Sequence, residues 1–232
     1  MLWLVSMGYR RTPFAINEWY HCFDRGIDKR TTFETGDDCN RFVELMYLSN
    51  DTKPIVRGNF QHMPHHDILQ LPREQNIVAI GGYSLMPNHY HILMQEIEDR
   101  GISKFMQKLG TGYAMYFNEK RSRVGNIFVK PFRSKHVDDE TYLRHVLQYI
   151  HLNVAEKFEP NWKHGKVSDF KNLEHKLLNY PFSSMPDYCG LERVERAILD
   201  DNVYNILADG LPKLSSVLRD AATYYTETES SF

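Results

Sequence analysis

"NIVAIGGYSLMPNHYHILMQEI", residues 76–97, is the stretch on which the fold turns. Both arms are rich in β-branched and aromatic residues. Met86-Pro87-Asn88 interrupts them, so the stretch predicts two strands joined as a hairpin. Side chains alternate along a strand, which puts His89 and His91 on one face and Tyr90 on the other. Two imidazoles on one face suit either a pair of metal ligands or a solvated polar surface.

Upstream of the hairpin, "NEWYHCFDRGIDKRTTF" (17–33) predicts a strand that bends or continues past Gly26. "TGDDCNRFVELMYLSN" (35–50) predicts a helix, with Asp37 and Asp38 as cap and first-turn acids and Phe42, Leu45, Met46 and Leu48 as its apolar side. Residues 51–75 carry three prolines and read as an inserted loop. Downstream, 101–125 predicts a helix with a weak point at Gly110 and Gly112, and "NIFVKPFRSKHV" (126–137) predicts a strand. Pro131 in that strand argues for an edge or a bulge. Asp138 and Asp139 open a helix over 138–158. The order strand, helix, strand, strand, helix, strand, helix predicts an α+β fold: an antiparallel sheet with helices packed on one face. Residues 1–158 are expected to form this domain. Residues 159–232 break the rhythm and are expected to be a mostly helical C-terminal extension, with "TETESSF" as a frayed end.

The 232 residues include 42% hydrophobic and 25% charged side chains, an ordinary globular balance. No apolar run approaches the length of a membrane span, and "MLWLVSMGYRRTP" is too short for a signal peptide. Cys22, Cys39 and Cys189 lack paired metal spacing, and an odd count fits reduced thiols in a cytoplasm. The net charge is −2, but it is unevenly spread. Residues 100–136 hold nine basic residues against Glu119 alone, a net +8, while 159–232 carry −4. A basic segment of this kind is either the footprint of a phosphate backbone or a solvated helix face.

On the 138–158 helix, Leu143, Val146, Leu147, Ile150 and Val154 share the core stripe. Tyr142, Tyr149 and Asn153 form a second stripe about a quarter-turn away. Tyr149 and Asn153 are four apart and therefore neighbours. If that edge meets the hairpin, His89, His91 and the Asn153 amide oxygen gather as donors for a divalent cation, Mn²⁺ or Mg²⁺, with Tyr149 beside it as a nucleophile. His145, one turn before Tyr149, is a candidate base. Each residue also has a plainer reading: polar surface for the histidines, packing for Tyr149, a cap for Asn153. His62, His65 and His66 read as polar loop residues.

Four motifs, "YHCFDRGIDKRTTF", "YSLMPNHYHILMQ", "GNIFVKPFRSKHV" and "YLRHVLQYIHLN", resemble in order and spacing the single-tyrosine HUH transposases, especially the REP-associated tyrosine transposases and those of small insertion sequences. The resemblance spans roughly residues 15–158. It implies a ferredoxin-like or RRM-like sheet, metal binding by His89, His91 and Asn153, and Tyr149 as nucleophile. It further implies cleavage and rejoining of single-stranded DNA near hairpins through a 5′-phosphotyrosine, in a cytoplasmic, nucleoid-associated protein. Arg121, Arg123, Lys130, Arg133 and Lys135 are then expected on phosphates, with Phe128 and Phe132 stacking on bases. The family often has Asn-Pro-Val where this chain has Asn153-Val154-Ala155, so the tyrosine helix is expected to run on. "YPFSS" (180–184) resembles an aromatic-Ser-Ser pattern in the tails of REP-associated members. Relatives include chains that exchange the tyrosine helix in a homodimer and chains that act as monomers; either is open here. A non-catalytic hairpin-binding module and a His-based hydrolase are the competing classes.

Overall fold

A computed structural model describes residues 13–60, 62–162, 167–208, 216 and 218. The amino-terminal run 1–12 and the expected frayed end lie outside them. The elements are β1 (Trp19–Arg25), α1 (Gly36–Ser49), α2 (His65–Ile68), β2 (Val78–Met86), β3 (His89–Glu96), α3 (Gly101–Lys120) and β4 (Arg133–Val137). They continue with α4 (Glu140–Leu152), α5 (Ala155–Phe158), α6 (Phe170–Leu178), α7 (Met185–Tyr188) and α8 (Asp201–Ala208). The four strands form one antiparallel sheet in the order β2-β3-β1-β4. This is the α+β, ferredoxin-like arrangement expected from the sequence.

The hairpin closes as read: Met86 pairs with His89, leaving Pro87-Asn88 as a two-residue turn. The turn is anchored because Pro87 O accepts from the N–H groups of Thr32 and Phe33, and Asn88 O accepts from Gly26 N. α1 starts two residues earlier than a cap at Asp37 would place it. Thr35 is the N-cap, and Asp38 completes a capping box with it. α3 runs unbroken through Gly110 and Gly112 to Lys120; Gly112 sits where a Cβ would be 3.0 Å from Leu45, so the gap in side chains lets α1 approach.

α1 and α3 cover one face of the sheet, over Cys22, Ile80, Tyr90, Ile92 and Met94. The other face also carries helices. Leu143, Val146, Leu147 and Ile150 of α4 and Val203 and Leu207 of α8 pack on Ala79, Leu93 and Val137. The expected one-sided packing is thus extended, and β2 is buried along its whole length. Gly81 and Gly82 follow a register shift after Ile80 and make room for this second layer. A Cβ on Gly82 would lie 2.4 Å from Leu147, and one on Gly81 about 3.1 Å from Val203 and Trp19.

Two local expectations are corrected. Regular pairing in the 126–137 strand is confined to Arg133–Val137, an edge strand, with a lone bridge from Phe128 to Gly26 upstream of Pro131. The tyrosine helix does not run on through 158. It stops at Leu152, although no proline follows Asn153. The Asn153 N–H and Nδ2 both donate to Tyr149 O, at 3.0 and 3.1 Å. The Asn153 amide adds a second donor to that carbonyl at the helix end, and Val154 and Ala155 turn into a second core with Trp162, Leu173 and Leu177.

Beyond residue 158 the chain packs onto the β2 edge through "YPFSS". Leu85 N donates to Phe182 O at 2.9 Å, Ser184 N to Tyr83 O at 3.0 Å and Tyr180 OH to Leu85 O at 2.8 Å. The segment thereby covers an otherwise open sheet edge. Among the described residues, no helix is long and apolar enough to cross a membrane.

Candidate active site

Strand parity places the site. Phe23 on β1 pairs with His91 on β3, Arg25 with His89, His21 with Lys135 on β4 and Phe23 with Arg133. His89, His91, His21, Arg25, Arg133 and Lys135 therefore share the sheet face on which α4 lies, while Tyr90 points the other way, against Phe42 and Phe128.

α4 brings Tyr149 down on this face. Its N-cap is Asp139, whose carboxylate accepts from Tyr142 N at 2.9 Å, and its buried stripe sets the rotation of the helix. The Tyr149 ring packs edge-on to His91 at 5.7 Å and to His21 at 5.8 Å between centroids. His89 and His91 are 5.2 Å apart and nearly perpendicular. The structure thus brings together Tyr149, His89 and His91. Tyr149 and His89 are half-buried and His91 is buried. His145 is exposed on α4, and the imidazoles against the Tyr149 ring are His91 and His21 instead. Asn153, one turn after Tyr149, is buried and caps its own helix through its amide nitrogen, which leaves Oδ1 as the end with donor capacity toward a cation.

His21 is the functional candidate that sequence reasoning missed. Its Nε2 lies 2.8 Å from His91 Nδ1, with the rings stacked at 5.0 Å. Burial, with Lys135 adding to it, holds its imidazole at a pKa of about 3, so it is neutral. On the other side, His89 Nδ1 lies 2.6 Å from Asn88 Oδ1. The only signal in the chain for His21 is parity: it lies two residues before Phe23, hence on the same face. Arg25 was missed for the same reason; it is exposed at the end of β1 beside His89.

Two imidazoles, each with its Nδ1 engaged by a neighbour, are chemically suited to a borderline divalent ion. Among the described residues, no group of three or more His, Cys, Asp or Glu could hold a metal by itself. A cavity of about 480 Å³ lined by Leu45, Ile55, Phe60, Met115 and Tyr116 lies against α1 and α3, away from this chemistry.

The basic residues divide. Arg133 and Lys135 are exposed on the histidine face, and Lys135 lies 5.2 Å from the Tyr142 ring. Lys130 and Arg123 are exposed in the connection between α3 and β4. Arg121 is held elsewhere: its guanidinium is 2.6 Å from Asp38 and 3.0 Å from Glu34 and stacks on Phe117 at 3.9 Å. Phe128 is not available to stack on bases. It is buried among Phe33, Phe42, Tyr90 and Tyr113. Phe132 is partly buried, parallel to Phe14 at 6.2 Å.

A ferredoxin-like sheet that sets a helix-borne tyrosine against a His-x-His pair is the arrangement that the resemblance to the single-tyrosine HUH transposases implied. Residues 43–153 match the family model described as "Transposase IS200 like", a span that contains His89, His91, Tyr149 and Asn153. This match supports the resemblance to the single-tyrosine transposases read from the sequence. A solved REP-associated tyrosine transposase bound to a REP hairpin is similar at 16% identity and a TM-score of 0.47, over 81% of this chain and 88% of that one. No curated protein matches the chain.

Proposed function

We propose that this protein cleaves and rejoins single-stranded DNA next to a hairpin, with Tyr149 as the nucleophile. The observation that carries the reading is the Tyr149 ring packed at 5.7 Å on His91, two residues from His89 along one strand face. The Tyr149 phenol oxygen attacks phosphorus and forms the 5′-phosphotyrosine bond as the P–O3′ bond breaks. The phenol proton passes to water, and the departing 3′ oxygen takes one up as a 3′-OH. The attack is reversible without an external energy source, because one phosphodiester replaces another. His89, His91 and Asn153 would hold Mn²⁺ or Mg²⁺. When bound, such an ion would supply Lewis-acid polarisation of a phosphodiester oxygen and lower the demand on the attacking phenol. Arg133 and Lys135, on the same face as the histidines, steer the strand across the site, with Arg123 and Lys130 extending the contact. Arg121 is left out of this set, since its charge is committed to Asp38 and Glu34. Phosphate contacts of this kind position DNA without reading its sequence.

The test uses labelled single-stranded DNA carrying a hairpin, with Mn²⁺. The wild type is expected to cleave it. Tyr149→Phe and His89→Ala are expected to bind the same DNA in a gel shift and leave it intact. Normal cleavage by His89→Ala removes the metal assignment. Tight binding without cleavage by the wild type makes the protein a hairpin-binding module.

A further inference from the structure

We propose that His21 is a positioning residue: it accepts a hydrogen bond from His91 Nδ1 and so makes His91 Nε2 the nitrogen offered to a divalent cation. This rests on the metal reading of the histidine pair. The observation behind it is the contact of 2.8 Å between His21 Nε2 and His91 Nδ1, made between two buried rings stacked on neighbouring strands. Only one proton lies on that line. If His91 donates, its Nε2 bears a lone pair and can ligate. If His21 donates, His91 carries its proton on Nε2 and cannot.

The second histidine offers a parallel for this direction. His89 Nδ1 faces Asn88 Oδ1 at 2.6 Å, and an amide oxygen only accepts, so His89 has its proton on Nδ1. With His21 as acceptor, both histidines of the pair are in the same tautomer, each fixed by one neighbour. Ligand histidines elsewhere are oriented in the same way by a partner on the nitrogen away from the metal, most often a carboxylate or carbonyl. Here the partner is an imidazole nitrogen. It orients His91 without bringing a negative charge next to a site that must accept a phosphodiester.

Two variants separate this role from packing. His21→Phe keeps a flat ring against Phe23 and Tyr149 but has no acceptor. His21→Gln places an amide near the position of Nε2 and keeps one. Mn²⁺ affinity is measured by calorimetry on full-length protein, with His89→Ala as reference and cooperative unfolding as the check on folding. His21→Phe is expected to bind Mn²⁺ roughly 10–100-fold more weakly, and His21→Gln to recover most of that loss. Wild-type affinity in a folded His21→Phe overturns the proposal, as does a Gln variant no better than Phe. If His89→Ala also binds as wild type, the ion is not at this pair and the metal reading itself fails. Should His21→Phe not fold, ¹⁵N spectra of the metal-free wild type decide. A proton on His91 Nδ1 supports the assignment; a proton on His91 Nε2 refutes it.

Discussion

Phe128 and Arg121 both lie in the basic, aromatic segment that suggested nucleic acid, and packing commits both to the protein. Phe128→Ala is expected to cost about 3–5 kcal/mol in denaturant unfolding, the scale for a buried phenylalanine, with little effect on hairpin affinity once folded. Asp38 has no exposed side-chain surface. Burial opposes its charge, but hydrogen bonds from Arg121, Lys120 and Tyr116 outweigh that and hold its carboxyl well below the usual range. Arg121→Ala is therefore expected to lower stability by on the order of 2 kcal/mol, since Lys120 remains. Composition identified the segment as basic but not which side chains face solvent, because that depends on the strand and helix each one meets. His89 and His91 were legible because parity fixes their common face from sequence alone. His21 was not, because its partner is 70 residues away and strand order is not written locally.

At the scale of elements, the tyrosine helix is held by contacts on three sides. The glycine pair of β2 admits Leu147. The helix ends at Leu152, with Asn153 as its C-cap one turn after Tyr149. His151 Nε2 lies 2.8 Å from Ser184 Oγ, which also accepts from Tyr83 N at 2.9 Å. Ser184 thus links the tail, the edge strand and α4 at one buried point. Ser184→Ala leaves His151 and the Tyr83 N–H without that oxygen. It is expected to destabilise the protein by roughly 2 kcal/mol and to slow cleavage, by loosening the helix that carries Tyr149. Denaturant midpoints and single-turnover rates check the two effects. The element order and the hairpin were readable because their hydrophobic periods are strong. The end of α4 was not: a missing proline argued for continuation, whereas the helix ends at Leu152 and Val154 and Ala155 pack into the second core. The double glycine read only as strand, since a close approach shows itself only when the covering helix is in place.

At the scale of the whole molecule, one chain supplies both the histidines and the tyrosine, because α4 packs back on its own sheet. Mixing Tyr149→Phe with His89→Ala is accordingly expected to restore no cleavage; restored cleavage would mean that helices are exchanged between chains. The basic stripe on the same face sets the salt response. Arg133→Ala with Lys135→Ala is expected to weaken hairpin binding and to flatten the slope of log affinity against log salt by roughly 1.5. The tail is tied to the other side of the molecule by His65, whose ring nitrogens lie 3.0 Å from Glu44 and 3.3 Å from Glu195. Hydrogen bonds to Glu195 and Glu44 raise its pKa to about 9. The folded value lies above the ordinary 6.5, so this stabilisation is complete below about pH 6.5 and is lost as pH rises through about 9. The melting temperature is expected to fall by roughly a few degrees between pH 7 and pH 10, and less so in His65→Gln.

The most direct measurement is to incubate the wild-type protein with single-stranded hairpin DNA and Mn²⁺, denature it, digest it and locate the attached nucleotide by mass spectrometry. The account predicts a 5′-phosphate ester on the peptide that contains Tyr149. An adduct on another residue, or cleavage of the DNA with no protein-bound nucleotide, would contradict it.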